Sequence, residues 1–391
     1  MITAALHLAW RYVARHRLQT LLLAGALALV IALPLCLRVL VQATETTMRE
    51  RAVSTPQLIG ARGSALDLML TALYFKQQPL PPIAMKHLQE LRATGLGAAI
   101  PLDVRFHAQE SPIVGTEIEY FSFRRLRIDC GKMLTRLGDC VIGARVAQRR
   151  GLKPGDAIFS SQEQVFDMAG VYPLKMRIVG VLASNGTPDD DAVFVDLKTV
   201  WLILGLAHGH DDVATTKDAV LKTETGNVVA NASVRMFNEV TDKNLRGFHF
   251  HSDEAAYELS AILVLPKDAK SEALLTGHYL KSSNPVQLIR PREEYDTLMS
   301  TLFQVQALAL SVLLLTLAAA AAISALVFAL SFRLRQREFT TLGDVGVSPS
   351  ALGLTKLFEV GIVGALGLTF ALIVTLIAEW NAQMWVQILL K

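Results

Sequence analysis

Three long apolar blocks constrain the fold of this chain more than any other feature of its sequence. Asp, Glu, Lys and Arg are absent from residues 21–37, 303–332 and 360–378. A helix that crosses a hydrocarbon core of about 30 Å needs roughly 20 apolar residues, so each block predicts a membrane-spanning helix. We place the spans at residues 18–42, 303–332 and 353–379. A buried helix of a soluble core is the alternative, and length favours it more for the third block than for the second.

The first block raises the question of a cleavable signal peptide, because basic residues precede it. Its apolar run is longer than the roughly 7–15 residues of a signal-peptide core. No small-residue cleavage site follows it before the charged segment TETTMRERA. The sequence therefore predicts an uncleaved membrane anchor.

Basic residues flank the first two spans and predict the orientation of the chain. They are Arg11, Arg15, His16 and Arg17 before the first span, and Arg333, Arg335 and Arg337 after the second. The positive-inside rule places both groups in the cytoplasm. Residues 1–17 are then cytoplasmic, residues 43–300 lie outside, and residues 333–350 form a cytoplasmic loop. The tail 380–391 carries two tryptophans, and it either lies along the outer surface or begins a fourth span.

The segment between the first two spans is long enough to bury a core of its own. Alternating apolar residues predict strands at 98–106, 175–184, 192–197 and 260–266. Helical patterns cover 81–95 and the start of 143–156, whereas the polar stretch 205–235 predicts a loop. The predicted fold class is a membrane protein with three clear transmembrane helices, a partial fourth as an alternative, and a large extracytoplasmic α+β domain inserted between the first and second helices.

The link between the second and third spans is polar although both of its neighbours are apolar. A charged cytoplasmic helix offers Arg and Glu side chains that can pair with a partner surface. The alternative is that the arginines only contact lipid headgroups and set the topology. No GxxxxGK[ST] motif occurs in the chain, so it offers no P-loop for nucleotide phosphates. The residues assigned to this coupling link are Arg333, Arg335, Arg337, Glu338, Leu342, Gly346 and Ser348, and the family resemblance given below implies that their partner is an ATPase.

Small residues along the third span predict a face for close helix packing. Gly361, Gly364 and Gly367 recur at three-residue steps, and they would contact the second span or a second copy of the chain. Glu359 lies near the start of this span. We expect it to cap the N-terminus of the helix, with a functional carboxylate inside the membrane as the alternative.

Two His-x-His segments in the predicted outer domain are candidate zinc sites. In a strand, His249 and His251 would point to one face with Asp253 beyond them, and such sets suit zinc. His208 and His210 form the second candidate pair. Surface hydrogen bonding of these side chains is the alternative.

The three cysteines have different predicted roles. Cys36 lies in the first span, where it would act as a small apolar packing residue. Cys130 and Cys140 are candidates for a disulfide if their compartment is oxidising. No Cys-His-Asn or Ser-His-Asp arrangement stands out, and a net charge of +3 argues against a nucleic-acid surface.

Several segments, taken in order, resemble the FtsX-like permease family of ABC transporters, which includes the MacB-type and LolC/LolE-type membrane subunits. The outer segment carries GLKPGDAI, MRIVGVL and PDDDAVFVDL. In the link and third span the matching positions are Arg335, Arg337 and Glu338, then Leu342 and Gly346-Val347-Ser348, then Glu359 with Gly361, Gly364 and Gly367. Gly343 and Asp344 replace the Arg-Ala pair of many members, and the family's fourth span has no clear counterpart.

The resemblance implies a permease subunit in the bacterial inner membrane with a MacB-like periplasmic domain. A separate ABC ATPase would carry ATP and Mg²⁺, and its closure would move the outer domain to act on a periplasmic or membrane substrate. The implied partners are this ATPase, a second permease copy in a homodimer, a periplasmic protein or lipoprotein, and membrane lipid. The chain itself is expected to have no enzymatic activity and no cofactor apart from the candidate zinc. The alternatives are a non-transporting scaffold that regulates a cell-wall enzyme, and a component of a zinc-handling system.

Overall fold

The computed structural model describes residues 2–161, 173–209, 220–224, 227–230, 237–250, 253–280 and 284–382. The chain divides into two compact units. Residues 1–49 and 296–391 form the first, which we call the helical unit, and residues 50–295 form the second, the α/β unit.

The α-helices of the described residues include three that are long and apolar. Stretches apolar enough to cross a membrane cover Arg17–Ala43, Leu310–Leu334 and Pro349–Trp380. The helices are α1 Ile2–Arg15, α2 Arg17–Val53, α3 Ala65–Tyr74, α4 Lys86–Thr94, α5 Ile118–Phe123, α6 Ala144–Arg150, α7 Leu197–Ile203, α8 Ala269–Tyr279, α9 Pro291–Leu334, α10 Gln336–Asp344 and α11 Pro349–Trp380.

Helix α1 was not predicted from the sequence. Its small apolar residues Ala5, Ala9 and Val13 recur at four-residue steps and lie on one face. That face is buried where α1 packs against α11. The segment expected to be a plain cytoplasmic terminus is therefore an ordered helix that covers part of the third span.

Helices α2 and α11 approach each other closely through small residues. Ala24, Ala28 and Ala32 of α2 are buried, and Gly367 and Ala371 are buried on α11. Small side chains at four-residue spacing let two helix backbones come together in an apolar environment, where van der Waals packing supplies the attraction.

The strands of the α/β unit build one mixed sheet and three two-stranded ribbons in the described residues. The sheet has the order β16-β1-β15-β3-β4-β9-β6-β8-β5, and β7 pairs with β8. The strands are β1 Gln57–Ala61, β2 Ile83–Ala84, β3 Gly97–Ala108, β4 Ser111–Thr116, β5 Ile128–Gly131, β6 Asp139–Ile142, β7 Ala157–Phe159, β8 Lys175–Leu182, β9 Val193–Asp196, β10 Ala207–Gly209, β11 Val220–Glu224, β12 Asn227–Ala230, β13 Phe248–Phe250, β14 Glu258–Leu259, β15 Ala261–Pro266 and β16 Val286–Ile289.

Two apolar clusters form the core of this unit, and α7 contributes to both. Val200 of α7 packs with the inner residues of β6, β8 and β9. Trp201, only 1% exposed, packs with Tyr257 and with residues of α4 and β15. A seven-residue helix can serve two clusters because its successive side chains point in different directions.

The structure corrects two predicted elements. The helix expected over 81–95 begins only at Lys86, because Ile83 and Ala84 pair with β14 as strand β2. The predicted loop at 205–235 contains β10, β11 and β12. The pair β11 and β12 forms an antiparallel ribbon of its own. The four predicted strands are confirmed as β3, β8, β9 and β15.

Candidate functional site

The link between α9 and α11, which we call the docking segment (residues 333–350), is built from one short helix and a tight turn. Helix α10 ends at Asp344, and Gly346 follows with φ of +97°. The Val347 amide donates to Leu342 O at 3.0 Å and the Gly346 amide donates to Gly343 O at 2.9 Å. These two bonds form a Schellman motif, which requires the left-handed conformation that glycine adopts without strain. Gly346 therefore ends α10.

Helix α11 begins directly after this turn. Ser348 has extended backbone angles, its hydroxyl accepts a hydrogen bond from the Ala351 amide at 3.4 Å, and Pro349 occupies the first helical position. Serine followed by proline is a favoured helix start, since serine satisfies a free amide and proline has none to satisfy. Of the residues assigned to the docking segment, Leu342, Gly346 and Ser348 thus form the turn itself.

Arg335 lies at the break between α9 and α10, and its side chain points inward. Its Nη1 donates to both carboxylate oxygens of Glu359 at 3.0 Å, and its Nε donates to Glu338 at 3.1 Å. The guanidinium carbon lies 3.6 Å from the centre of the Tyr12 ring and 4.9 Å from that of Phe339. Only 17% of the Arg335 side chain is exposed. This differs from the prediction that Arg335 offers its charge to a partner.

The other charged residues of the docking segment are exposed. Arg333, Arg337 and Glu338 all lie on the surface of the described residues. Lys356 of α11 lies over the buried Phe339 of α10, with 4.5 Å between Nζ and the ring centre. Phe339 therefore holds α10 against α11, while the two outer arginines remain available.

Glu359 has a different role from the helix cap predicted for it. Ser348 caps α11, and Glu359 lies eleven residues further on with 2% of its surface exposed. Its carboxylate pairs with Arg335, so the carboxylate is buried and satisfied. The sequence indicated that Glu359 lies near the start of the third span. It could not show that Arg335, 24 residues earlier, is its partner.

A small cavity lies beside this ion pair inside the helical unit. Its volume is about 20 Å³, which is room for roughly one water molecule. The polar residues that line it are Tyr12, His16, Gln19, Thr20, Ser331 and Glu359. The cavity joins polar groups from α1, α2, α9 and α11 next to three apolar stretches.

The three glycines predicted to form one packing face differ in the structure. A Cβ added to Gly367 would lie 2.9 Å from Leu27 Cδ2 and 3.2 Å from Ala24 O, so a side chain at this position would have to displace α2 or the Leu27 side chain. Gly361 and Gly364 face open space instead. The close contact is with the first span, whereas the prediction named the second span or another copy. The reason is that α2 supplies the matching stripe of alanines.

A second buried ion pair lies in the α/β unit and was not predicted. Arg51, in the last turn of α2, donates from Nη1 to Asp189 Oδ2 at 2.6 Å and from Nη2 to Oδ1 at 3.0 Å. Tyr120 accepts from Arg51 at 2.8 Å and donates to Asp189 at 2.7 Å. Arg51 is 5% exposed and Asp189 is 1% exposed. Burial alone would raise the pKa of Asp189, but the adjacent Arg51 guanidinium and the Tyr120 hydroxyl hold it below its ordinary value.

Arg124 adds a second positive charge beside this pair. It donates to the hydroxyls of Ser54 at 3.1 Å and Thr55 at 2.8 Å, and its guanidinium lies 5.9 Å from the Tyr120 ring centre. Burial and the nearby Arg51 charge lower the pKa of Arg124 to about 10. Arg124 is therefore still charged at neutral pH, and it binds the two residues that follow the end of α2.

The three aspartates of the PDDD segment have different main partners. They form a 3₁₀ turn, Pro188–Asp191, in which Asp189 pairs with Arg51. Asp190 accepts the amides of Asn185 and Gly186, and Asp191 pairs with Arg145 and Arg149 of α6. The sequence marked this segment only through the family resemblance, because the partner of Asp189 lies 138 residues away.

The predicted zinc sites lie largely beyond the part of the chain that the structure describes. His210 and His251 are outside the described residues. His208 and His249 are directly opposite each other in the β10–β13 ribbon. Asp253 instead caps the 3₁₀ turn Glu254–Ala256. Within the described ranges, no group of three or more His, Cys, Asp or Glu residues is arranged to hold a metal ion.

The predicted disulfide is wrong, because Cys130 and Cys140 are separated by a strand. Cys130 lies in β5 and Cys140 in β6, and β8 runs between them. Two strand spacings give a separation of about 9.5 Å, beyond the roughly 7 Å that a disulfide allows. All three cysteines are free, with Cys130 exposed, Cys140 buried and Cys36 partly exposed.

Three long apolar helices and an α/β unit inserted in the sequence between the first two are consistent with a membrane subunit of an ABC-type transporter. The family model of the MacB-like periplasmic core domain matches residues 20–232, which is more than half of the chain. The chain belongs to this family. The resemblance to FtsX-like permeases inferred from the sequence is thereby confirmed.

Two solved structures are similar to this chain at low sequence identity. One is the extracellular domain of the noncanonic ABC-type transporter YknZ from Gram-positive bacteria, at 13% identity and a TM-score of 0.32, covering 60% of this chain and 99% of that one. The other is the periplasmic region of MacB from Actinobacillus actinomycetemcomitans, at 12% identity and a TM-score of 0.34, covering 65% of this chain and 97% of that one. No curated protein matches the sequence significantly.

Proposed function

We propose that this chain is the permease subunit of an ABC transporter in the bacterial inner membrane, and that it converts ATP hydrolysis by a separate ATPase subunit into movement of its α/β unit. The observation that carries the proposal is the form of the docking segment. Helix α10 is a short, ordered helix between two apolar stretches, and it is held by the Schellman turn and by Phe339. Its exposed Arg333 and Arg337 supply charges for a partner surface.

An ATPase is the partner that the family of this chain supports. The sequence lacks the phosphate-binding loop that an ABC ATPase uses, so the energy would come from another polypeptide that binds ATP and Mg²⁺. In the proposed topology the N-terminus and the docking segment are cytoplasmic, and the α/β unit is periplasmic. The docking segment then lies on the side of the membrane where ATP is available.

Movement would pass along the two helices that the units share. Helix α2 continues without interruption to Val53, and α9 begins at Pro291, five residues before the helical unit resumes. At 1.5 Å per residue, the 44 residues of α9 span about 66 Å, well beyond a hydrocarbon core of about 30 Å. The Arg51–Asp189 pair fixes the last turn of α2 to the α/β core, so a displacement of this helix end would move the core residues bound to it.

The remaining proposed partners are a second permease copy, membrane lipid and a periplasmic protein or lipoprotein. The Leu310–Leu334 stretch of α9 has no buried residues within a single chain. A homodimer would cover part of this surface, and lipid would cover the rest. A periplasmic protein or lipoprotein would contact the α/β unit and receive its movement.

Site-specific crosslinking tests the proposal. A photoreactive amino acid at Arg337 should capture a protein that contains ABC ATPase motifs in intact cells. The same amino acid at Leu357, an exposed apolar position of α11, should capture no such protein. If Arg337 captures only lipid, the proposal that an ATPase docks here is wrong.

A cargo measurement distinguishes the proposed function from the scaffold alternative. ATP turnover of the purified complex should rise when a transported substrate or periplasmic partner is added. A scaffold for a cell-wall enzyme would instead change the activity of that enzyme without any cargo.

A further inference from the structure

We infer that Arg335 is a positioning residue that joins the docking helix α10 to α1 and α11, and that it does not contact the ATPase. This inference rests on the proposed function in one respect, that α10 is where the ATPase docks. It assigns the transmission of movement to a specific side chain, and it leaves docking to the exposed arginines of the same segment.

The position of Arg335 suits a joint between helices. It interrupts α9 and α10 with φ of −90° and ψ of 9°, so it lies where the chain can bend. From there the side chain contacts two further helices. It pairs with Glu359 of α11 through both carboxylate oxygens and lies against the Tyr12 ring of α1. One side chain therefore contacts α1, α10 and α11.

The electrostatics keep Arg335 in this inward position. Glu359 is 2% exposed, and removing the partner of a buried carboxylate strongly destabilises the folded protein. The cation also lies 3.6 Å from the centre of the Tyr12 ring, an arrangement that attracts a guanidinium. Tyr12 is held in turn, since its hydroxyl lies 3.4 Å from Ser331 Oγ of α9. Turning Arg335 outward to meet a protein surface would break its contacts with both Glu359 and Tyr12.

Arg333 and Arg337 belong to the same segment as Arg335 but differ from it in exposure and in contacts. Each lies two residues from Arg335, each is exposed, and the described contacts pair neither of them with a carboxylate. They are matched controls, because they share the charge and the local sequence of Arg335 but not its contacts. A force applied to α10 through these two arginines would reach α1 and α11 through Arg335.

The first test needs no ATPase. Hydrogen exchange of the α1 amides is measured on the full chain in lipid nanodiscs for the wild type, R335A, R335K, R333A and E359Q. R335A should speed exchange in α1 by about fivefold or more, the lower end of typical coupling between sites. R335K, which keeps the charge but not the two-bonded geometry, should lie between R335A and the wild type. R333A should match the wild type.

The variants at both ends of the ion pair show whether the effect passes through it. E359Q should change α1 exchange in the same direction as R335A. The double variant R335A/E359Q should be no worse than R335A alone, because groups that act through one contact are not additive. Unchanged exchange in R335A, or fully additive effects in the double variant, would overturn the inference.

The second test uses the ATPase recovered by crosslinking at Arg337. R333A and R337A should weaken its binding. R335A should keep the binding affinity and lower saturating turnover by about fivefold or more. If R335A weakens binding as much as R337A while α1 exchange is unchanged, Arg335 is a docking contact and the inference fails. If R333A and R337A leave binding unchanged, the proposed docking site is wrong. The exchange measurement still shows whether Arg335 joins α10 to α1 and α11.

Discussion

Removing one partner of the Arg51–Asp189 pair should destabilise the α/β unit strongly, and removing both should not. Arg51→Met leaves the Asp189 carboxylate in a site that is 1% exposed, with the neutral hydroxyls of Tyr120 and Thr187 still donating to it but no bound counterion. Asp189→Leu leaves the Arg51 guanidinium without its counterion. The double variant replaces both charges by apolar groups that can pack together.

The expected magnitude follows from the burial of the pair. Breaking a buried ion pair from one side costs about 3–5 kcal/mol, whereas replacing both partners with apolar residues is often neutral. For a unit of this size, 1 kcal/mol shifts the melting temperature by about 2–4 °C, so each single variant should melt about 6–20 °C lower. The double variant should recover most of this loss. Tyr120→Phe removes one shared hydroxyl and should cost about 0.5–1.5 kcal/mol.

Tryptophan fluorescence gives a signal from this unit alone. The chain has four tryptophans, and Trp201 is the one that lies between residues 50 and 295. It is buried in the core, so its emission should change when the unit unfolds. The measurement uses full-length protein in which the other three tryptophans are phenylalanine.

A matched control is the Lys175–Glu239 pair, whose atoms are 2.8 Å apart but whose side chains are 36% and 37% exposed. Lys175→Met should cost less than about 1 kcal/mol, because water screens an exposed pair. The reasoning is refuted if Arg51→Met costs no more than Lys175→Met, or if the double variant loses the sum of the two single losses.

Three further predictions concern pH, packing and thiol reactivity. Because the folded-state pKa of Asp189 is depressed, its stabilising effect is fully present above its unfolded pKa of about 3.9 and is lost as pH falls through the folded value. Melting temperatures measured from pH 6 to pH 3 should therefore fall more steeply for the wild type than for a variant in which Asp189 and its arginine partner are both apolar. Gly367→Leu should force α2 and α11 apart and cost about 1–3 kcal/mol, measured as thermal stability in detergent, whereas Gly361→Leu should have little effect. A maleimide should label Cys130 in the folded protein and leave Cys140 unlabelled until unfolding, since Cys140 is buried and burial raises its pKa.

The elements that the sequence predicted are those with a local cause. Apolar blocks without charges indicated the three long helices, and alternation of apolar residues indicated β8 and β9. The turn of the docking segment also has a local cause, because Gly346 and Ser348 have conformational roles that depend on neighbouring residues alone. Each of these features is determined within a few residues of chain.

The features that the sequence did not predict depend on contacts between distant residues. Arg51 and Asp189 are 138 residues apart, and Arg335 and Glu359 are joined only when α11 folds back on α10. The direction of the Arg335 side chain is set by these contacts, and an arginine beside a predicted span is equally consistent with a lipid or protein contact. Gly367 was distinguished from its neighbouring glycines only by the side chain that faces it on α2.

The two buried ion pairs share a form that suggests a common purpose. In each, an arginine at the end of a long helix, Arg51 for α2 and Arg335 just after α9, is bound through both oxygens of a buried carboxylate from another element. Arginine is favourable at a helix C-terminus because it complements the helix dipole. Such pairs add little stability over apolar residues of similar size, but they fix one geometry.

The double variant of Arg51 and Asp189 therefore tests whether this geometry is needed for coupling. If it melts like the wild type yet shows lower saturating ATP turnover with the partner ATPase, the pair acts in transmission and not mainly in stability. Unchanged turnover would show that the geometry of this helix end is not needed for coupling.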